Sequence, residues 1–243
     1  MKILVLGGTE EARMLATKIA ELGHVVVSSL AGRTKNPTLP QGGTVRFGGF
    51  GGADGLAAYL KGEGFDRMID ATHPYAAEIS RNAATAAART GVSLVRFKRQ
   101  PWAEPQYAFW RHVADFAEAA ALLPAGSRAF LTIGHRGLEP FLKRTDCTFL
   151  VRSIEPPEWL PPHCWPIAAQ PPYLISSETE LMQKEKISHL VSKNSGGMQT
   201  EAKLKAAIAA GVVTIMVDRP ELPPAPEATS FGRCLAMLKL DRG

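Results

Sequence analysis

The chain has 243 residues, 45% of them hydrophobic and 21% charged, with a formal net charge of +5. This composition buries a core and excludes a disordered chain, and the length suits one large domain or two small ones. Apolar runs such as His24–Leu30 and Val212–Val217 are far shorter than a bilayer span, and the opening Lys2–Gly8 has no signal-peptide pattern, so a cytoplasmic protein without a membrane role is expected.

Short β-branched runs then alternate with Ala-rich segments of helical length. Strands are expected over Lys2–Gly7, His24–Leu30, Gly43–Phe47, Arg67–Thr72 and Val92–Phe97, with helices over Glu11–Leu22, Leu56–Lys61 and Ala76–Arg89. Such alternation predicts parallel βαβ units with strands buried on both faces. The Pro- and aromatic-rich Arg99–Trp110 breaks the rhythm and reads as a linker. Beyond it the rhythm resumes, with helices over Asp115–Leu123, Leu138–Lys143, Glu178–Lys186 and Gln199–Ala210 and strands over Arg128–Gly134, Cys147–Arg152, Ser188–Ser192 and Val212–Val217. Glu155–Tyr173 holds seven prolines and reads as an ordered surface excursion. The expected fold class is α/β: two Rossmann-like parallel-sheet domains, 1–103 and 104–243, with the active site in the cleft between them.

Cys147, Cys164 and Cys234 are widely spaced and form no CxxC pair, so they read as small buried residues, and neither a disulfide framework nor a metal site is expected. The modest positive charge points to an anionic small molecule. Lys and Arg are scattered and no nucleic-acid signature accompanies them, so no nucleic-acid partner is expected. Nothing in the sequence fixes an oligomeric state.

Gly7-Gly8-Thr9 lies between a strand and a helix, as a dinucleotide fingerprint requires, with Thr9 at the second glycine's place and Ala12 at the last. A bare strand-to-helix turn explains the glycines equally well. About 20 residues further on, a carboxylate would mark NAD; Gly23–Ala53 contains no Asp or Glu, and Ser28, Ser29, Arg33, Thr34 and Lys35 stand there instead. These residues suit the 2′-phosphate of NADP, although Arg33 and Lys35 also fit a solvated loop. Three more loops at strand ends carry chemistry: Asp70–Ala76 with Thr72, His73 and Tyr75; Thr132–Gly137 with His135 and Arg136; and Ser192–Gly197 with Lys193, Asn194 and Ser195. Each can equally be a cap or a turn, but they recur where ligands of open α/β sheets collect. P-loop, GxSxG, HExxH and Tyr-x-x-x-Lys signatures are absent.

Taken in order, "LGGTEEAR", "SLAGRT", "DATHPYA", "TIGHRG" and "SKNSGG" resemble the precorrin-6A reductase family of cobalamin biosynthesis over essentially the whole chain. The resemblance implies an NADPH-dependent oxidoreductase that reduces one macrocycle double bond of precorrin-6A to give precorrin-6B. Cobalt-precorrin-6A reductases look similar, and the motifs do not separate the two. By matching positions, Gly7, Gly8, Thr9, Ser29, Arg33, Thr72 and His73 would line NADP(H) in the first domain. Arg136, Arg152, Lys193 and Arg219 near strand ends of the second domain, with Asn194 and Ser195, would meet a polycarboxylate tetrapyrrole, with Lys193 and Ser195 open between substrate and cofactor. His73 or Tyr75, or a water they order, is the expected proton source, because protonation needs a titratable group within hydrogen-bond reach. The competing readings are a non-catalytic NADP-binding sensor and a reductase of a smaller metabolite.

Overall fold

The computed structural model describes residues 1–32, 38–135 and 137–240. The chain runs β1 (Lys2–Leu6), α1 (Glu10–Glu21), β2 (Val25–Leu30), β3 (Thr44–Phe47), α2 (Gly52–Gly62), β4 (Arg67–Asp70), α3 (Ala77–Thr90) and β5 (Ser93–Phe97). It continues with β6 (Trp110–Val113), α4 (Phe116–Leu122), β7 (Arg128–Leu131), α5 (Glu139–Leu142), β8 (Thr148–Ser153), β9 (Cys164–Ala168) and α6 (Ile175–Lys184). The remaining elements are β10 (His189–Lys193), α7 (Ala202–Ala209), β11 (Val213–Val217), β12 (Glu227–Ala228) and α8 (Phe231–Met237). They form two compact units, one of Met1–Arg99 with Pro220–Gly243 and one of Gln100–Arg219.

In the first unit six parallel strands take the order β12-β5-β4-β1-β2-β3. Successive residues of β1 serve opposite faces. Ile3 and Val5 pack with Leu15 and Ile19 of α1 and with Cys234, Leu235 and Leu238 near the C-terminus, while Leu4 and Leu6 pack with Leu56 and Leu60 of α2 and Ala83 and Ala86 of α3. A strand covered on both faces needs an apolar residue at nearly every position, which is why these strands read as continuous apolar runs. The strand order reverses direction at β1 and β4, so the loops after these strands flank a crevice of the kind that binds ligands.

The second unit repeats this arrangement with the order β6-β11-β10-β7-β8-β9, again parallel. Trp110, Phe130, Leu150, Leu190 and Met216 of its strands pack against Met182 of α6 and Leu204, Ala206 and Ala207 of α7. Each sheet completes its sixth position with a strand from outside its run of five: β12 from the C-terminal segment and β6 from the stretch that opens the second unit.

The expected second domain, 104–243, is therefore corrected at its end. Glu227 and Ala228 pair with Arg96 and Phe97 on the edge of β5, and α8 adds Cys234 and Leu235 to the first core, so Pro220–Gly243 falls in the first unit. The expected surface excursion Glu155–Tyr173 contains β9, which pairs with β8. β9 is an edge strand, where Pro166 is tolerated because one side of the strand needs no donor. Among the described residues no helix is long and apolar enough to cross a membrane.

Candidate active site

The turn from β1 into α1 is built for a tight backbone path. Gly8 has φ +103°, a region that L side chains rarely adopt, and the Gly7 amide donates to Ser29 O at 2.9 Å, joining the turn to the end of β2. Thr9 is the N-cap of α1: its hydroxyl accepts from the Ala12 amide at 3.1 Å and donates to Ala71 O at 2.7 Å. A hydroxyl has one hydrogen, so Thr9 cannot also donate to a phosphate while that bond stands. Its contribution is to lock the turn against the end of β4 and leave the backbone amides of the first helical turn directed at the crevice. Glu11, beside those amides, is neutralised by an ion pair with Arg99.

At the end of β2, Ser29 is buried and its Oγ accepts from Arg46 Nη1 at 2.7 Å. Arg46 stands opposite Ser29 on β3, donates to Gly48 O at 3.1 Å and Gly49 O at 3.0 Å, and lies over the Phe50 ring at 3.9 Å. These bonds fix the guanidinium and use three of its five N–H groups, leaving the Nε–H and one Nη2–H without a partner among the described residues. Sequence reasoning missed Arg46 because it sits inside a strand. The signal available was a cation followed by Gly48-Gly49 and Phe50. Neighbouring Ser28 is also buried, and its Oγ has no partner among the described residues. Arg33, Thr34 and Lys35, expected at this position, lie outside the described residues.

The loop after β4 is held from below by Asp70, whose Oδ1 accepts from the Thr72 amide at 3.2 Å and the Thr72 hydroxyl at 2.7 Å. Thr72, like Thr9, therefore spends its donor on the protein. Asp70 is 2% exposed, and its second oxygen faces Arg96 Nε at 3.5 Å, an ion pair rather than a hydrogen bond. Arg96 reaches on to Glu227 at 3.4 Å and Pro223 O at 3.1 Å, so the C-terminal return segment helps to hold the charge that holds the loop. His73 Nδ1 accepts from the Tyr75 amide at 3.2 Å, which in the neutral ring leaves the proton on Nε2. The two half-buried rings lie 5.8 Å apart. No side chain caps the α3 that follows, so its first-turn amides add to those of α1.

In the second unit the candidate residues gather at the carboxyl ends of β7, β10 and β11. Gly137 has φ +98°, a conformation that favours glycine, and a Cβ there would press into the Phe116 ring and force it to move. The Lys193 ammonium lies 5.7 Å from that ring. Asn194 clamps the Trp102 backbone, accepting from its amide at 2.8 Å and donating to its carbonyl at 3.2 Å. Arg219 donates to Asn194 O at 2.8 Å and Ser195 O at 3.2 Å. Both side chains thus shape the 193–197 loop, and Ser195 is buried within it. His135 bonds the Glu155 carbonyl, and Arg136 lies outside the described residues. The three thiols are buried, and burial pushes Cys164 up to about 11 and Cys234 up to about 12, which leaves them unreactive near neutrality.

Comparison with known proteins gives a consistent set of matches. The family described as "Precorrin-6x reductase CbiJ/CobK" matches residues 2–239. A precorrin-6A reductase of Rhodococcus erythropolis is 50% identical over 229 residues, 93% of this chain and 92% of that protein. A cobalt-precorrin-6A reductase of Priestia megaterium is 27% identical, over 90% of this chain and 91% of that protein. A solved structure titled "CobK precorrin-6A reductase" superposes with a TM-score of 0.92 at 42% identity, covering 98% of this chain and 96% of its own.

Proposed function

This chain belongs to the precorrin-6x reductase family, and from that premise we propose that it reduces one double bond of metal-free precorrin-6A with NADPH, giving precorrin-6B in cobalamin biosynthesis. Identity of 50% and 46% to two precorrin-6A reductases, against 27% to a cobalt-precorrin-6A reductase, favours the metal-free substrate. The observation that carries NADPH over NADH is the end of β2, where Ser29 and an oriented Arg46 stand in a stretch free of carboxylates.

A bound reduced nicotinamide supplies the hydride; the chain's residues bind, orient and move a proton. The Gly7-Gly8-Thr9 turn, the first-turn amides of α1 that Thr9 leaves open and the uncapped first turn of α3 suit a pyrophosphate, while Ser29, Arg46 and Arg33 suit the 2′-phosphate. Thr9 and Thr72 lock the two loops by their hydroxyls and line the cofactor with backbone. His73, with its proton on Nε2, and Tyr75 are the proton sources. In the second unit Arg136, Lys193 and Ser195 are assigned to the carboxylates of the tetrapyrrole, with Asn194 and Arg219 holding the loop that presents them.

The test is incubation of the full chain with NADPH and precorrin-6A while the absorbance of both is followed. Matched loss of NADPH and change in the tetrapyrrole spectrum is expected, with NADH and cobalt-precorrin-6A both poorer. Tight NADPH binding without any loss of NADPH would refute the enzyme reading in favour of a sensor.

A further inference from the structure

The second unit buries a lysine, Lys203, that none of the roles above uses. Lys203, in the first turn of α7, is 4% exposed. Among the described residues its ammonium makes no hydrogen bond or ion pair and faces the Trp102 ring at 5.4 Å. A buried ammonium without a partner is costly, and natural chains keep one only where something compensates it. Burial lowers its pKa to about 7, and Arg152 and Lys193 push the same way while Glu178 opposes them.

The surroundings show what is missing. Arg152, near the end of β8, is 5% exposed, pairs with Glu178 of α6 at 2.5 Å and lies over the Tyr173 ring at 3.8 Å. Glu178 spends one oxygen on Arg152 while its other oxygen makes no hydrogen bond among the described residues, and Arg152, Glu178 and Lys193 all act on the Lys203 ammonium. These residues come from the end of β8, the last position of β10 and the first turns of α6 and α7. In a parallel α/β unit all of those lie on the carboxyl side of the sheet, where ligands bind.

We propose that Lys203, with Arg152 and Lys193 beside it, is an anion-binding position that receives one carboxylate arm of the tetrapyrrole. The assignment rests on the reading of the chain as a precorrin-6A reductase. A carboxylate arriving there completes a charge-assisted hydrogen bond and drives the ammonium back to its protonated form, so binding takes up a proton near neutral pH.

The experiment compares the wild-type full chain with Lys203→Met and Lys203→Arg for binding of precorrin-6A without reduced cofactor, for turnover, and for proton uptake by calorimetry in buffers of different ionisation enthalpy at pH 8. Lys203→Met keeps the length of the side chain and removes its charge. It is expected to weaken precorrin-6A binding by about 10- to 100-fold, to leave kcat within about twofold and to abolish the proton uptake, while Lys203→Arg keeps most of the affinity. Unchanged NADPH affinity in Lys203→Met serves as the control for folding. Wild-type affinity and proton uptake in Lys203→Met would overturn the proposal, as would intact affinity with a collapse of kcat, which would make Lys203 a proton donor instead. A wild-type chain that binds no precorrin-6A would overturn the functional reading itself, a result distinct from either.

Discussion

Replacing Arg46 with Met tests the cofactor assignment where it is most exposed to error. The guanidinium is held by Ser29 Oγ, Gly48 O and Gly49 O and by the Phe50 ring, with two N–H groups left over. Bonds of this kind contribute about 0.5–1.5 kcal/mol each, and a half-exposed cation–π contact about 0.5–1 kcal/mol. Met recovers part of the packing, so a stability loss of about 1–3 kcal/mol is expected in urea unfolding. Binding is the sharper readout. Loss of a charge-assisted pair to the 2′-phosphate costs about 1.5–3 kcal/mol, or roughly 10- to 150-fold in the Kd of NADPH. NADH lacks that phosphate and should change by less than about threefold, the residue of any loosening of the β2 end. Fluorescence titration of both nucleotides against wild type and Arg46→Met measures the difference directly. Equal weakening of NADPH and NADH would show that Arg46 only supports the loop, and a wild type with no preference for NADPH would remove the 2′-phosphate assignment altogether.

His73→Ala and Tyr75→Phe address proton delivery: at saturating substrate at least one should lower kcat by about 10²-fold or more, and full turnover in both would exclude the pair. Leu238→Ala removes a side chain that is 1% exposed in the core shared by β1 and α1, so a loss of about 2–5 kcal/mol is expected in urea unfolding although the residue lies near the C-terminus; a neutral result would contradict the return of this segment to the first unit. The thiols should resist alkylation in the native chain at pH 8 and react once it is unfolded. Because Cys164 and Cys234 are held neutral in the fold, their contribution to stability is fully present below the unfolded thiol pKa of 9.0 and is lost as pH rises through it towards 11 and 12, which a thermal-unfolding series across that range measures. Rapid native alkylation would contradict the burial.

The central strands of both sheets were legible because burial on two faces imprints an unbroken apolar run, as in Lys2–Leu6 and Val213–Val217. The strands that were missed share a different physics. β12 is two residues long, β6 ends a Pro-rich stretch and β9 contains Pro166, so none has a periodic signature of its own. Each is an edge strand, formed because a sheet edge is open beside it, and an open edge is a property of the assembled sheet. The assignment of the C-terminal segment to the second domain failed for the same reason: its partner, β5, lies more than a hundred residues earlier in the chain.

The site shows a finer version of that limit. Sequence marks Thr9 and Thr72 as polar residues in ligand loops, and a hydroxyl in such a loop reads as a donor to phosphate. Which donor remains available depends on neighbours that no local pattern reveals: Ala71 O takes the Thr9 proton and Asp70 takes that of Thr72. The same bonds explain why threonine is useful at both places. Each ties the loop after one central strand to the loop after its neighbour or to its own base, so the backbone amides reach the crevice already aligned, without ordering the loops when the ligand arrives. Arg46 is the converse, a residue whose position in a strand suggests packing and whose fixed guanidinium, set against Ser29 and Phe50, suggests recognition. Side-chain type was therefore a weaker guide to role than the number of hydrogen-bonding groups each side chain has left after the fold has used its share.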